Sequence, residues 1–274
     1  MKSSRSGQIS ANVVSYAATA LFLFPIYILV NLAFRPADDL TPAIVPSTNP
    51  TFDNFIDAWN SSSLPDAIGT SLTVTAASCV VVLGLATMAA YPLARSTARL
   101  STVTFFVFMI GLLLPFQLAL IPLYIQMRDL GLLGSLVSLI IVYAGVQMPF
   151  SVFLLTTFIR SSVPVEFEEA AQLDGCGPLR TFWHVVTPLL RPALGTCLIL
   201  NSVGIWNDFF TPLIYLAGSG LATIPTAIYE FVGQYTTNWP LIFASLIISM
   251  APILAVYLVF QRYIIRGFAG GLKG

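Results

Sequence analysis

The sequence predicts an all-α, polytopic membrane protein with six transmembrane helices and cytoplasmic termini. Three observations predict it. Hydrophobic residues make up 57% of the 274 and charged residues 9%, with a mean hydropathy of +0.85, where a soluble domain has roughly half and about a quarter. Charged positions leave uncharged runs at 6–34, 67–94, 100–127, 130–159, 192–207 with 209–229, and 231–261. Each run can hold the ~20 apolar residues that carry a helix across ~30 Å of hydrocarbon. Finally, an inside N-terminus with six crossings puts Lys2, Arg5, Arg95, Arg99, Arg160, Arg180, Arg191, Arg262, Arg266 and Lys273 on the cytoplasmic side and only Arg35 and Arg128 outside, the bias expected of cytoplasmic loops.

The spans are expected at about 13–34, 70–93, 102–124, 135–159, 193–217 and 240–263, as one transmembrane domain over 1–274. Lys2 and Arg5 precede an apolar stretch longer than the ~7–15 residues of a signal-peptide core, so the first span reads as a retained anchor. After it, Asp38, Asp39, Asp53, Asp57 and Asp66 with five prolines through Pro65 read as an external excursion. Within it Phe52, Phe55, Ile56 and Trp59 fall at helical spacing, which predicts a short interfacial helix, serving either as an outer cap or as a binding element. Pro25, Pro115, Pro122, Pro149, Pro212 and Pro252 lie within the expected spans. Each removes a helix hydrogen bond, whose orphaned partner must be satisfied by a neighbour or a wet cavity.

Several functions are excluded by what the chain lacks. Equal basic and acidic counts, 12 each, give no excess to neutralise a nucleic acid. There is no G-x-x-x-x-G-K-[ST] loop, and the terminal "GFAGGLKG" follows a span without opening a helix, so no nucleotide cofactor is expected on this chain. G-x-S-x-G and H-E-x-x-H are absent, and no catalytic residue or metal site is assigned. The single histidine, His184, has no ligand at metal spacing and reads as a packing or interface residue. Cys79, Cys176 and Cys197 are an odd set, two of them within expected spans, and imply no disulfide framework.

The largest inside loop, Arg160 to Arg191, predicts two short helices. Pro164 suits a first helical turn, Glu166, Glu168 and Glu169 sit near the positive end of the helix dipole, and Gly175 supplies the stop. Pro178 opens a second helix with an apolar stripe through Leu179, Phe182 and Val186, expected to end at Pro188. In the first helix Phe167, Ala170, Ala171 and Leu173 gather on one arc, opposite Glu168, Glu169 and Gln172. An arc built on alanines suits close docking of another surface, or a cover over the end of the helix bundle.

The stretch "EEAAQLDGCGPLRTFWHVVTPLLRPAL" resembles the EAA loop of ABC-importer permeases: Glu169-Ala170-Ala171, three residues, Gly175, nine residues, then Val185, with Thr187-Pro188 where that family prefers Leu-Pro. "WNDFFTPL" and the ending "QRYIIRGFAGGLKG" extend the resemblance to the second, six-span permease of carbohydrate-uptake systems of the maltose-transporter type, over essentially the whole chain. The resemblance implies a subunit of an ATP-driven sugar importer in a bacterial or archaeal cytoplasmic (inner) membrane. Its partners would be a similar second permease, two ATPase subunits that carry ATP and Mg, an external solute-binding protein and membrane lipid.

It also implies a cytoplasmic coupling helix, with Glu168, Glu169, Ala170, Ala171, Asp174 and Gly175 serving the contact with an ATPase. Asp208, an acidic residue within an expected span, is a functional candidate. With Asn201, Trp206 and Asn207 it lines a translocation path or caps a broken helix near Pro212. Gln117 and Gln147 read as interhelical hydrogen-bonding residues. In the external segment from Gly218 to Trp239, Tyr229, Glu230, Gln234 and Tyr235 face the solute-binding protein by this resemblance, and an aromatic membrane belt is the alternative. The basic tail residues Arg262, Arg266 and Lys273 touch the ATPases or anchor at the inner leaflet. A permease of a nonsugar ABC importer would share the loop without "QRYIIRG", and an ion-coupled secondary transporter would need an inverted repeat.

Overall fold

The computed structural model describes residues 5–60, 64–232 and 238–271. In chain order it has α1 (Arg5–Ala33), α2 (Asp53–Asn60), α3 (Leu64–Arg95), α4 (Arg99–Leu113), α5 (Leu120–Asp129), α6 (Leu136–Ser162) and α7 (Glu166–Leu173). Next come α8 (Pro178–Thr181), a π turn (Phe182–Val186), α9 (Thr187–Leu189), α10 (Arg191–Trp206), α11 (Phe210–Tyr215), α12 (Ile224–Tyr229) and α13 (Trp239–Gly271). The chain divides into two compact units, Met1–Pro65 with Ala227–Ala251, and Asp66–Thr226 with Pro252–Gly274.

In the first unit the apolar stretch of α1 within Asn12–Ala33 is largely uncovered within the chain, as a helix facing lipid or a partner must be. The segment after it has no regular structure, so its backbone needs other partners. Arg35, 2% exposed, donates to the carbonyls of Thr41, Pro42 and Val45. Asn31 Nδ2 donates to Ala43 and Val45 at 2.7 and 2.9 Å. Asn54 Nδ2 donates to the carbonyls of Ala33 and Arg35 at 2.9 and 2.7 Å, tying α2 to the end of α1. The expected short helix is therefore present as α2, held by the buried Asn54 and Ala58, with Ile56 and Trp59 turned outward.

The second unit is organised by α3 and α6. Along α3, Val82, Ala86, Ala90 and Leu93 form one buried stripe, the repeat of a helix face turned to a core. It meets Val152, Leu155 and Ile159 of α6, Phe182 and Val186 of the π turn, and Cys197 of α10. A second cluster joins Val74, Leu139, Tyr143, Ile205 and Tyr215. Small residues set the closest approaches: a Cβ on Gly111 of α4 would lie 3.1 Å from Pro149 Cγ of α6, and one on Gly204 of α10 would lie 3.0 Å from Gln147 Nε2.

Two expected spans are not single helices. The segment expected at 102–124 breaks into α4, a 3-10 turn at Phe116–Leu118 and α5, with Leu114 extended at φ −80°, ψ 123°. Pro115 causes it, because the proline ring disfavours the helical region for the preceding residue. The segment expected at 193–217 breaks between Trp206 and Phe210, where Pro212 has no N–H for the Asp208 carbonyl. By contrast Pro25, Pro149 and Pro252 lie inside continuous helices. Among the described residues four helices are long and apolar enough to cross a membrane: Asn12–Ala33, Leu64–Arg95, Leu136–Ser162 and Trp239–Val259. A fifth is added if Pro178–Leu189 and Arg191–Trp206, bent by 71°, count as one.

Candidate functional site

The loop between α6 and α10 is ordered by local signals and by one distant ion pair. Val165 starts α7, its carbonyl accepting from the N–H groups of Glu168 and Glu169 at 2.9 and 3.0 Å. The three glutamates of the first turn complement the helix dipole. At the other end Gly175 adopts φ +81°, donates to the Gln172 carbonyl at 3.0 Å and is followed by Cys176 donating to Ala171 at 2.9 Å. This pair of bonds with a left-handed glycine is a Schellman stop. Pro178 occupies the first turn of α8, where its missing N–H costs nothing.

Pro188 does not end the second helix as expected. The Thr187 N–H and its hydroxyl both reach back five residues to the Phe182 carbonyl, the hydroxyl at 2.9 Å, so the ladder widens into a π turn. A proline one residue on cannot use the ordinary register, since it has no donor and its ring crowds the carbonyl four residues back. The chain then turns at Leu190 into α10. His184, in this turn, is exposed, with Nδ1 3.1 Å from the Arg180 carbonyl.

The arc expected on α7 is rotated in the structure. Glu168, assigned above to the outward polar arc, is 5% exposed and faces inward with Ala171. Arg95, at the end of α3, is the reason: its NH2 lies 2.7 Å from Glu168 Oε1 and its Nε 2.8 Å from the same oxygen. The Tyr91 hydroxyl, one turn earlier on α3, donates to Glu168 Oε2 at 2.8 Å. Arg95 also donates to the Val163 carbonyl at 2.7 Å, and the Tyr91 ring packs on Phe182 with centroids 5.2 Å apart. Removing one partner of such a buried pair costs about 3–5 kcal/mol. The helix-wheel argument missed Tyr91 and Arg95, although they stand four residues apart on the last turns of one helix and so share a face.

With Glu168 turned in, the outward surface of α7 presents Phe167, Ala170 and Leu173, the last 90% exposed, together with the polar Glu166, Glu169 and Gln172. Asp174 and Gly175 are exposed at its end, and Leu179 and Trp183 stand uncovered on the following segment. Two large apolar side chains around an alanine, with Glu166 and Glu169 beside them, make a compact knob with an acidic edge.

The four residues assigned to a path differ in exposure. Asn201 is buried, with Nδ2 donating to Ser151 Oγ at 2.9 Å. Trp206 is buried beside a largely apolar cavity of about 380 Å³ that Cys79, Ser202 and Pro252 also line. Asn207 is exposed and folds back to the Val203 carbonyl at 2.8 Å. Asp208 Oδ1 accepts from the Phe210 N–H at 3.1 Å, and Oδ2 accepts from the Tyr143 hydroxyl at 3.0 Å. Asp208 thus satisfies a backbone N–H at the start of α11 and a hydroxyl of α6 at once.

In the first unit Tyr229 and Glu230 are exposed, and Glu230 lines a cavity of about 900 Å³ with Arg35, Asp39 and Trp239. Gln234 and Tyr235 lie outside the described residues. Asp39 accepts from the Thr41 hydroxyl and N–H at 2.6 and 3.0 Å and from the Ser47 hydroxyl at 3.1 Å. The Thr41 bonds chiefly hold its carboxyl below the usual aspartate range, against partial desolvation.

Residues 81–270 match the family model described as "Binding-protein-dependent transport system inner membrane component". The chain is 31% identical to the melibiose/raffinose/stachyose import permease protein MelC of Bacillus subtilis (strain 168), over 98% of both chains. It is 34% identical to the multiple sugar-binding transport system permease protein MsmG of Streptococcus mutans, over 92% of this chain and 91% of that one. Among solved structures, a bacterial ABC transporter involved in the import of the acidic polysaccharide alginate has a chain of the same fold, with a TM-score of 0.83 and 22% identity, over 96% of this chain and 99% of that one.

Proposed function

The chain belongs to the family of inner membrane components of binding-protein-dependent transport systems, and from that premise we propose that it is the permease subunit of an ATP-driven importer of a sugar or sugar derivative. Two relatives that cover more than nine-tenths of it, MelC and MsmG, are named as permeases of sugar transport systems. It is a transport subunit and not an enzyme, with ATP hydrolysis on separate subunits. It works in the inner membrane with a second permease, two ATPases that hold ATP and Mg, and an external solute-binding protein.

On this reading the chain is one permease domain that crosses the membrane six times with both termini in the cytoplasm, α4 with α5 forming the broken third crossing and α10 with α11 the broken fifth. The observation that carries the coupling role is the uncovered knob of α7. Phe167, Ala170 and Leu173 enter a cleft of an ATPase, Glu169 meets a cation at its rim, and Asp174 with Gly175 fixes the turn that ends the knob. Ala171 and Glu168 hold the helix from behind. Asn201, Trp206 and Asn207 serve the sugar path from the side of α10, with Asp208 shaping the break. On the opposite membrane face Tyr229 and Glu230, with Gln234 and Tyr235, meet the solute-binding protein.

Reconstitution of the permease pair with ATPases and binding protein into vesicles tests the reading. ATP-dependent uptake of at least one of melibiose, raffinose, stachyose or diacetylchitobiose, sugars named for its relatives, is the expected result. Import of a non-carbohydrate with none of these sugars taken up would overturn it.

A further inference from the structure

α7 is an eight-residue helix whose only buried residues are Glu168 and Ala171. A force applied to its outer face therefore reaches the rest of the unit through few groups. Ala171 has one methyl to offer, whereas Glu168 engages α3 at two levels: Oε1 with Arg95 at 2.7 Å and Oε2 with Tyr91 at 2.8 Å. Arg95 in turn holds the Val163 carbonyl just ahead of α7, and the Tyr91 ring holds Phe182 in the π turn behind it. The last turn of α3 thus grips both ends of the cytoplasmic hairpin, and α3 runs uninterrupted for 32 residues from there.

We propose that Tyr91, Arg95 and Glu168 form a rigid latch that makes α7 and α3 move as one body, so that displacement of α7 by an ATPase is delivered to the far end of α3. The inference rests on the docking role given to α7 and adds the route by which the motion leaves it. These are positioning residues, touching neither sugar nor nucleotide. A bidentate carboxylate suits this work because two differently directed bonds fix orientation as well as distance. An ion pair confined to the surface would be screened and loose, whereas here the carboxylate is almost fully covered.

Spin labels on cysteines placed at Gln172 of α7 and Val80 of α3, both exposed, test this, with Cys79, Cys176 and Cys197 replaced by serine. The probe is the assembled transporter without nucleotide and after trapping with ATP and vanadate. The latch predicts the same narrow distance distribution in both states for the otherwise native complex. In Glu168→Gln the distribution broadens or shifts on trapping, while the ATPases still co-purify in normal yield. A merely structural role would lower that yield and leave the distance in surviving complexes unchanged. Should Glu168→Gln fail to assemble, Tyr91→Phe keeps the ring on Phe182, removes one bond and carries the same measurement.

A native distance that changes on trapping, or variants whose distance stays fixed and narrow, would overturn the latch and leave docking standing. Loss of the ATPases from the otherwise native complex would instead count against docking. In transport, uptake per ATP in the variants should fall about 5-fold or more, the lower end of ordinary coupling between two sites.

Discussion

The Tyr143 hydroxyl of α6 meets the Asp208 carboxylate at 3.0 Å across 65 residues of sequence, while the other carboxylate oxygen closes the start of α11. One acidic side chain thereby anchors the break in the fifth segment to an unbroken helix. Asp208→Ala removes the cap, worth about 1 kcal/mol, and strands the Tyr143 hydroxyl, worth about 1–3 kcal/mol more. Thermal unfolding of the purified permease pair should show the loss, and Asp208→Asn should lose less. A fall in sugar affinity with unchanged stability would instead make Asp208 a path residue.

Gly175 ends α7 at φ +81° with nothing within 4 Å of where a Cβ would stand. Gly175→Ala therefore costs only the left-handed backbone penalty, about 1–2 kcal/mol, and should leave uptake measurable. Gly175→Pro cannot adopt that φ and loses the N–H that donates to Gln172. It is expected to insert normally in the membrane while hydrolysis of ATP no longer drives uptake, as read by the two rates in vesicles. Normal coupled transport would remove the turn from the mechanism.

Arg35 is buried, and its guanidinium donates to the carbonyls of Thr41, Pro42 and Val45 in the loop after α1. Arg35→Met takes the guanidinium donor from the Thr41 carbonyl, a cost of about 1–3 kcal/mol where that group stays buried, while the Pro42 carbonyl keeps the Val45 N–H and the Val45 carbonyl keeps Asn31. Faster protease cleavage between Thr41 and Ser47 is the expected readout. Cleavage no faster than in the native protein would mean that the loop is held by Asn31 alone.

The Asp39 carboxyl is held below its ordinary value by Thr41 first and by Ser47 and Arg35 in addition. A depressed folded pKa means that its contribution is complete above the unfolded value and is lost as pH falls through the folded one. Amide protection of Thr41, corrected for intrinsic exchange, should be flat above about pH 5 and decline below about pH 4. In Asp39→Asn the same protection should not change across that window.

Much of this was legible in local sequence. Uncharged runs located α1, α3, α6 and α13, Pro178 and Gly175 marked the ends of the loop helices, and the aromatic spacing found α2. The two broken segments were harder, because a proline reads the same whether neighbours absorb it, as at Pro149 and Pro252, or the helix parts, as at Pro115 and Pro212. The family pattern pointed to the loop that holds α7, but it did not say which glutamate faces outward. A helix wheel weighs polarity alone, and Glu168 is polar. What turns it inward is Arg95, 73 residues away, a relation that no local period encodes.

If the outer face of α7 seats an ATPase, Ala170 is the smallest exposed side chain of that face. Co-purification of the ATPase subunits with the permease pair, native against Ala170→Trp, measures this directly. The account predicts that the native pair retains ATPase, and that Ala170→Trp keeps its partner permease, loses most of the ATPase and imports no sugar. An Ala170→Trp complex that holds its ATPases and imports sugar at the native rate would contradict it.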